Sequence, residues 1–245
     1  MGSPTSRFYR ELQGHSIIPN AILFGSIGTI ADTSELQRKA FNQAFSQHGL
    51  NWNWSQDAYR ALLEKSGGKK RIENYAQERG QSVDAAAIHR TKSELFQQFM
   101  AEGKVQPRAG VADVIESAIA KGLKLALVTT TSKQNVASML QALGSSVSAD
   151  SFDVVVDASK VSQTKPNKEA YCYALRQLNQ TADSCIAVED NLGGVKAAIA
   201  AGITCLAFPT QNTAHHDFSR ARDKVNSLEF AYLHSLLENN SQLSA

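Results

Sequence analysis

Apolar residues along this chain fall into short runs, separated by longer segments in which apolar side chains recur every three or four positions. The runs cover residues 21–24, 123–128, 152–156, 185–188 and 203–208. Residues 135–143 and 169–178 show the helical spacing most clearly. Apolar strands that alternate with amphipathic helices are typical of a parallel sheet with helices on both faces. The pattern predicts an α/β fold with a Rossmann-like, doubly wound parallel sheet as its core.

This alternation is interrupted between the first two predicted strands. Residues 33–106 carry no strand pattern and consist of helical pieces that are broken at Gly49, Gly67, Gly68 and Gly80. The first piece begins with Thr33 or Ser34 as N-cap, and its apolar face consists of Leu36, Ala40, Phe41, Ala44 and Phe45. The sequence therefore predicts a separate helical domain over 33–106, inserted into a core domain of residues 19–32 and 107–245.

Composition and charge narrow the classes of function. A chain of 245 residues that is 42% hydrophobic can form one large domain with a small insertion. The net charge of +2 arises from interspersed acids and bases, which argues against a nucleic-acid partner. No apolar stretch approaches the roughly 20 residues that cross a bilayer, and the N-terminus does not read as a secretory signal. We expect a cytoplasmic protein with no membrane partner, in which Cys172, Cys185 and Cys205 are buried free thiols.

Polar residues follow the second predicted strand and precede a later helix. Thr129 and Thr130 lie between a strand and a helix, where hydroxyl groups and free backbone N–H groups form a phosphate cradle. An ordinary helix cap would use the same residue types. Lys165 stands before a helix that Pro166 and Asn167 open, and it can neutralise an anion there. Lysines in such positions are commonly just solvated, so neither signal is specific alone.

Two adjacent carboxylates, Glu189 and Asp190, end the fourth predicted strand and are followed by Gly193 and Gly194. Carboxylates with close backbone approach suit a hard divalent cation such as Mg²⁺. The alternative is that these acids only complement the dipole of the following helix.

Taken together, the hydroxyl group, the Lys-Pro pair and the Glu-Asp pair occur in the order of motifs two, three and four of the haloacid dehalogenase (HAD) superfamily of hydrolases. The chain resembles this superfamily from about residue 20 to 208. The resemblance implies that the insertion is a helical C1 cap with Asp32 at its hinge. It points to the branch of β-phosphoglucomutases, phosphoglycolate phosphatases and CbbY-like sugar bisphosphate phosphatases.

The cap segment Gly67-Gly68-Lys69-Lys70-Arg71-Ile72 is most similar to the CbbY type, in which this segment grips the second phosphate of the substrate. The resemblance therefore implies that Lys69 and Arg71 contact the ligand, and it implicates Lys70 less directly. A solvated basic helix start is the alternative interpretation.

The first motif of the superfamily, Asp-x-Asp-Gly-Thr, here reads Gly25-Ser26-Ile27-Gly28-Thr29. In the family the first aspartate attacks phosphorus, and the second protonates the leaving oxygen and later activates water. Gly25 has no atom with which to attack, and Ile27 cannot exchange a proton. For Mg²⁺, which would be held by Glu189, Asp190 and the backbone carbonyl of Ile27, we expect weakened binding.

No obvious replacement for the lost carboxylates stands nearby in the sequence. The side chain of Ser26 should point away from the phosphate if Gly25 faces it, because side chains alternate along an extended segment. His215 and His216 follow the last predicted strand, in a loop that reads as exposed.

The leading hypothesis is a HAD-like protein that binds a phosphorylated small metabolite, a sugar phosphate or bisphosphate, without efficient turnover. Loss of two acids should make its pocket more positive, with Glu189 and Asp190 facing Lys165 and Arg71. One alternative is an active metal-dependent sugar phosphate phosphatase with different chemistry. Another is a module that binds a protein partner and retains only a vestigial pocket.

Overall fold

A computed structural model describes residues 20–25, 27–64 and 67–243. Ser26 lies outside these residues. The described strands form one sheet in the order β3-β2-β1-β4-β5-β6, and every neighbouring pair is parallel. Their bounds are β1 Ala21–Phe24, β2 Lys124–Val128, β3 Val154–Val156, β4 Cys185–Glu189, β5 Thr204–Ala207 and β6 Asp223–Lys224.

Helices cover both faces of this sheet. They are α1 Ile27–Ile30, α2 Ser34–Gln47, α3 Gln56–Leu62, α4 Gly68–Glu78, α5 Ala85–Glu102, α6 Val111–Ala120, α7 Lys133–Leu143, α8 Glu169–Leu178, α9 Leu192–Ala200 and α10 Phe230–Leu243. Side chains of β1 alternate between the two faces: Ile22 and Phe24 pack with α6, α7 and α10, while Ala21 and Leu23 pack with α8 and α9. The predicted doubly wound α/β fold is confirmed.

Short polar side chains fix the starts of several helices. Ser55, Asp84, Ser132 and Asn191 each accept a backbone N–H from three residues later, at the starts of α3, α5, α7 and α9. Thr33 occupies the N-cap position of α2 but forms no side-chain cap hydrogen bond. The exposed Asp32 accepts the N–H of Ser34 instead, at 3.1 Å.

Helices α2–α5 lie in sequence between β1 and β2 and pack around an aromatic cluster. This cluster consists of Phe41, Phe45, Trp52, Trp54, Tyr59 and Tyr75. Side-chain hydrogen bonds connect the helical insertion to the core: Arg60 Nε donates to Asn212 Oδ1 at 3.1 Å, and Gln97 Nε2 donates to Asn135 Oδ1 at 2.9 Å. The boundaries of the insertion at 33 and 106 stay predictions.

One edge of the sheet differs from the sequence-based expectation. Strand β6 was not predicted, because its two residues, Asp223 and Lys224, are exposed and polar. The C-terminal segment is helical as far as Leu243. The predicted free thiols are confirmed, although Cys172 is only half-buried. Within the ranges described above, no helix has the length and apolar character required to span a bilayer.

Candidate functional site

The carboxyl ends of β1, β2 and β4 lie side by side, since Phe24 is in register with both Leu127 and Val188. Beyond these ends, the core and the helical insertion enclose a cavity of about 970 Å³. Candidate site residues from both parts of the chain line it: Ile27, Thr129, Thr130, Lys165 and Asp190 from the core, and Lys69, Lys70 and Arg71 from the insertion. The structure thus brings these residues to one cavity, and their binding roles stay predictions.

Glu189 lies behind the wall of this cavity and is completely buried. Its Oε1 accepts hydrogen bonds from Lys165 Nζ at 2.5 Å and from the Tyr171 hydroxyl at 2.6 Å. Lys165 Nζ also donates to the carbonyl of Val128 at 2.6 Å. Burial raises the pKa of Glu189, and the adjacent Lys165 opposes this rise. Lys165 and Glu189 therefore form a buried ion pair instead of acting on a ligand as separate charges.

The Glu189 carboxylate fills a notch between Gly25 and Gly194. A Cβ atom built on Gly25 would lie 2.1 Å from Glu189 Cδ, and one on Gly194 would lie 2.0 Å from it. Both distances are far below van der Waals contact. A side chain at position 25 and Glu189 in this conformation therefore exclude each other. Glycine at position 25 makes room for the carboxylate of Glu189.

Of the Glu189-Asp190 pair, Asp190 is the carboxylate that lines the cavity, together with Glu73 and Glu94 of the insertion. Its Oδ1 accepts hydrogen bonds from Thr29 Oγ1 at 3.0 Å and Asn191 Nδ2 at 3.2 Å. A Cβ on Gly28 would lie 2.4 Å from Asp190 Oδ2, so this carboxylate is seated directly against the backbone of α1. The carbonyl of Ile27, which the sequence suggested as a metal ligand, already accepts the N–H of Ala31 at 2.9 Å.

The predicted Mg²⁺ ligands are not arranged as a metal site. Mg²⁺ requires near-octahedral coordination by oxygen atoms. Of the two carboxylates, Asp190 reaches the cavity and Glu189 is paired with Lys165. No group of three or more His, Cys, Asp or Glu side chains that could hold a metal occurs in the described part of the chain. As arranged here, the residues do not fit the ion.

Thr129 and Thr130 are not the cap of the helix that follows them. Ser132 performs this function, because its Oγ accepts the N–H of Asn135 at the start of α7. Thr129 Oγ1 accepts the N–H of Thr131 at 3.2 Å, which tightens the turn after β2. The two threonines are thereby left in the cavity wall beside the N-terminus of α7, a location that suits an anion.

Arg108 connects α1 to the end of β5, and sequence reasoning missed this role. Its Nη1 donates to the carbonyls of Gly28 and Phe208, at 3.1 and 2.6 Å, and its Nη2 donates to that of Pro209 at 2.6 Å. The guanidinium carbon lies 3.4 Å from the ring centroid of Phe208. One side chain thus fixes the segment that contains Gly28.

We expect Arg108→Lys to lower the free energy of unfolding by about 2–3 kcal/mol, because an ammonium group cannot satisfy three carbonyls in a planar fork. The corresponding fall in Tm is roughly 4–12 °C, measurable by thermal unfolding. Arg220→Lys, at an exposed position, serves as the control and should change stability by less than about 0.5 kcal/mol. Equal effects of the two substitutions would contradict the role assigned to Arg108.

The insertion contributes Arg71 to the cavity wall, whereas Lys69 and Lys70 lie at its rim. Lys69 and Lys70 are more than half exposed and pair with Glu73 at 3.7 and 3.2 Å. Arg71 Nε donates to the carbonyl of Leu62 at 2.9 Å, and its guanidinium lies 5.7 Å from the ring centroid of Tyr59. These contacts of Arg71 are within the insertion, and Glu189 is paired with Lys165 behind the wall. The expectation that Glu189 faces Arg71 is therefore corrected.

Lys92 is a second buried basic residue in the part of the cavity wall that the insertion contributes, which we call the cap wall. It was not singled out from the sequence. It is 4% exposed, donates to Gln37 Oε1 at 3.1 Å, and lies 4.8 Å from the ring centroids of Phe41 and Phe96. Burial, together with the smaller effect of the charge of Arg71, lowers the pKa of Lys92 from 10.5 to about 7. A sequence signal existed, because Lys92 falls on the apolar stripe of α5 between Ile88 and Phe96.

His215 and His216 lie apart from this cavity. His216 is 7% exposed, which corrects the expectation of an exposed pair, and neither of its ring nitrogens has a hydrogen-bond partner in the described structure. It lines a separate cavity of about 330 Å³ with Phe218 and Lys224. The structure therefore does not offer His216 as a substitute base for the large cavity.

Comparisons with known proteins agree with this architecture. Residues 22–208 match the family described as haloacid dehalogenase-like hydrolase. The chain is 40% identical over 206 residues to protein CbbY of Cereibacter sphaeroides, which covers 82% of this chain and 89% of the relative.

Two crystal structures of CbbY from Rhodobacter sphaeroides are also similar, each at 38% identity. The complex with phosphate has a TM-score of 0.81 and covers 90% of this chain and 99% of that one. The complex of a mutant with xylulose-(1,5)bisphosphate has a TM-score of 0.79 and covers 85% and 94%. The family match and the relatives at this level of identity place the chain in the haloacid dehalogenase-like hydrolase family, in the neighbourhood of CbbY.

Proposed function

We propose that this protein binds a phosphorylated small metabolite, a sugar phosphate or bisphosphate, and does not turn it over efficiently. The observation that carries the proposal is the state of the first motif. Gly25 and Ile27 stand where the family has its two aspartates, and the carboxylate of Glu189 fills the space beside Gly25. The protein would then retain the binding function of the fold without its covalent chemistry.

The loss of turnover follows from what the two positions can do. An aspartyl phosphate intermediate needs a carboxylate oxygen within reach of phosphorus, and protonation of the leaving group needs a second acid. Neither Gly25 nor Ile27 supplies one, and Glu189 does not reach the cavity. Removal of a nucleophile elsewhere costs on the order of 10⁶ in turnover, and the remainder comes from positioning and electrostatics.

Binding is supported by the groups that remain around the cavity. The N-terminus of α7, together with Thr129 and Thr130, favours an anionic group at the core end. Because Lys165 is paired with Glu189, the core wall is less positive than the sequence suggested. The cap wall, with Arg71 and rim residues Lys69 and Lys70, would hold a second anionic group. The crystal structures of CbbY from Rhodobacter sphaeroides are complexes of that relative with phosphate and with xylulose-(1,5)bisphosphate.

We further propose that Asp32 acts at the hinge between the core and the insertion. Its carboxylate accepts the N–H of Ser34 and so fixes the backbone at the start of α2. Magnesium binds weakly or not at all in this conformation, since Glu189 would have to leave its notch to contribute an oxygen. Ligand binding is accordingly expected to be largely independent of added Mg²⁺.

The test measures turnover and binding on the same purified protein. Phosphate release is assayed with a panel of sugar phosphates and bisphosphates that includes xylulose 1,5-bisphosphate, with and without Mg²⁺, and thermal shifts are recorded with the same compounds. We expect no turnover above background and a rise in Tm with at least one ester. Arg71→Met should reduce the shift caused by a bisphosphate more than the shift caused by inorganic phosphate.

Two other outcomes would overturn the proposal. Robust turnover by the wild type that is abolished by Asp190→Asn would favour an active phosphatase with rearranged chemistry. The absence of a thermal shift with every ester and with inorganic phosphate would favour a protein-binding module with a vestigial pocket.

A further inference from the structure

Asn135 is a buried amide at the junction of the insertion and the core, and both ends of its side chain are used. It lies on α7 and is 4% exposed. Its Oδ1 accepts a hydrogen bond from Gln97 Nε2 of α5 at 2.9 Å, and its Nδ2 donates to Thr131 Oγ1 at 3.0 Å. An asparagine amide combines an acceptor and donors in one rigid plane. A single side chain therefore joins the insertion to the turn that follows β2.

The side chain of Asn135 is not needed to begin α7. The helix is capped by Ser132, whose Oγ accepts the backbone N–H of Asn135 at 3.2 Å. Because this bond uses only the backbone of Asn135, its amide group is left for the two contacts with Gln97 and Thr131. The amide thus has a role other than helix capping.

The position of Thr131 sets how the turn presents its donors. The N–H of Thr131 donates to Thr129 Oγ1 at 3.2 Å, and the carbonyl of Thr131 accepts the N–H of Ala158 at 2.8 Å. Since the Thr129 hydroxyl accepts from Thr131, its own hydrogen points elsewhere. Both threonines line the large cavity. The hydrogen of Thr129 is therefore directed by a residue that Asn135 holds in place.

A second bridge between the insertion and the core has no such connection to the turn. Arg60 Nε of α3 donates to Asn212 Oδ1 at 3.1 Å, in the segment that follows β5. Asn212 is 3% exposed, so both bridges end on a buried asparagine of the core. Only the bridge from Gln97 leads through an asparagine amide to the threonines after β2. The two contacts form a matched pair for an experiment.

We propose that Asn135 is a positioning residue that couples the insertion to the anion-binding turn. In contact with Gln97, Asn135 holds Thr131 where the turn receives an anion. An anion bound on the turn in return stabilises the contact between α5 and α7, because such coupling is reciprocal. The inference rests on the proposed function. It implies that a residue of the insertion controls the affinity for an anion bound at the core end of the cavity.

The experiment is a double-mutant cycle read by calorimetric titration with inorganic phosphate. Gln97→Ala should weaken phosphate binding about fivefold, the value of one lost hydrogen bond. Thr131→Val keeps the shape of the side chain without the hydroxyl and should weaken binding at least as much. Adding Gln97→Ala to Thr131→Val should then change affinity by less than about twofold. Thr131→Ser, which keeps the hydroxyl, should restore both the affinity and its sensitivity to Gln97→Ala.

Hydrogen exchange measures the same coupling from the insertion. Saturating phosphate should slow exchange of the backbone amides of α5 around Gln97 in the wild type. It should not do so in Thr131→Val at equal saturation. Asn212→Ala removes the other bridge and is the control: phosphate should still slow exchange in α5, and Gln97→Ala should still weaken phosphate binding about fivefold in this background.

The outcomes separate this inference from the proposed function. If the wild type binds phosphate, an effect of Gln97→Ala that is absent, or equally large with and without Thr131→Val, overturns the role of Asn135 while the binding function stands. If the wild type binds neither inorganic phosphate nor any sugar phosphate or bisphosphate of the panel, both are overturned. Thermal unfolding of each variant distinguishes a loss of binding from a loss of fold. If Thr131→Val does not fold, Asn135→Ala replaces it in the cycle.

Discussion

Replacement of Glu189 by alanine is expected to lower the free energy of unfolding by roughly 3–5 kcal/mol, because it leaves the buried ammonium of Lys165 without its carboxylate. The hydroxyl of Tyr171 loses its acceptor in the same change. At about 2–4 °C per kcal/mol for a chain of this size, Tm should fall by roughly 6–20 °C. Thermal unfolding monitored by circular dichroism gives the measurement.

The loss of stability caused by a substitution at Gly25 should depend strongly on whether Glu189 is present. In the wild type, Gly25→Ala places a Cβ atom 2.1 Å from Glu189 Cδ and must drive the carboxylate away from Lys165, at a cost of about 2–4 kcal/mol. In the Glu189→Ala background the notch is empty, and Gly25→Ala should cost less than about 1 kcal/mol. A double-mutant cycle should therefore show a coupling of at least about 1 kcal/mol.

Gly194→Ala provides a second arm of this experiment, since its Cβ would meet Glu189 Cδ at 2.0 Å from the other side. Gly103→Ala, at the end of α5, is the uncoupled control and should have equal effects in both backgrounds. Simple additivity of Gly25→Ala with Glu189→Ala would show that the carboxylate does not occupy the notch. A coupled result would also imply that aspartates restored at positions 25 and 27 can act only after Glu189 has moved.

The strands and the cavity could be predicted from the sequence because each depends on a local pattern. Apolar runs such as 21–24 specify buried strands, and residues at the carboxyl ends of parallel strands must meet at one edge. Thr129, Lys165 and Asp190 were found in this way, each by its place after a strand or before a helix. Strand β6 was missed because two exposed polar residues carry no such pattern.

The arrangement inside the site could not be predicted, because it depends on contacts between distant segments. Whether Glu189 faces a ligand or fills a notch is decided jointly by Gly25, Gly194 and the reach of Lys165, which lie on three different stretches of chain. The burial of Lys92 is a different case. A lysine on the apolar stripe of α5 was visible in the sequence, but only the packing of α2 and α5 shows that no carboxylate meets it.

Lys92→Met is expected to stabilise the protein near neutral pH, in contrast to most substitutions of buried residues. A fall in the pKa of Lys92 from 10.5 to about 7 corresponds to an upper limit of about 5 kcal/mol of destabilisation. Contacts of the ammonium with Phe41 and Phe96 offset part of this. We therefore expect a gain of about 2–3 kcal/mol in the free energy of unfolding, measured by denaturant titration at pH 6.5.

The pH dependence of the stability gain shows whether it comes from removing the buried charge of Lys92 or only from adding apolar surface to the core. Between about pH 7 and 10.5 the unfolded chain binds more protons at Lys92 than the folded protein does, so the stability of the wild type rises with pH in that window. The advantage of Lys92→Met should be complete below about pH 7 and shrink towards pH 10. Lys196→Met, at an exposed position of α9, should show neither the gain nor its pH dependence. A constant gain across this range would mean that Lys92 is charged in the folded protein throughout, and that the cavity wall already neutralises it without a bound anion.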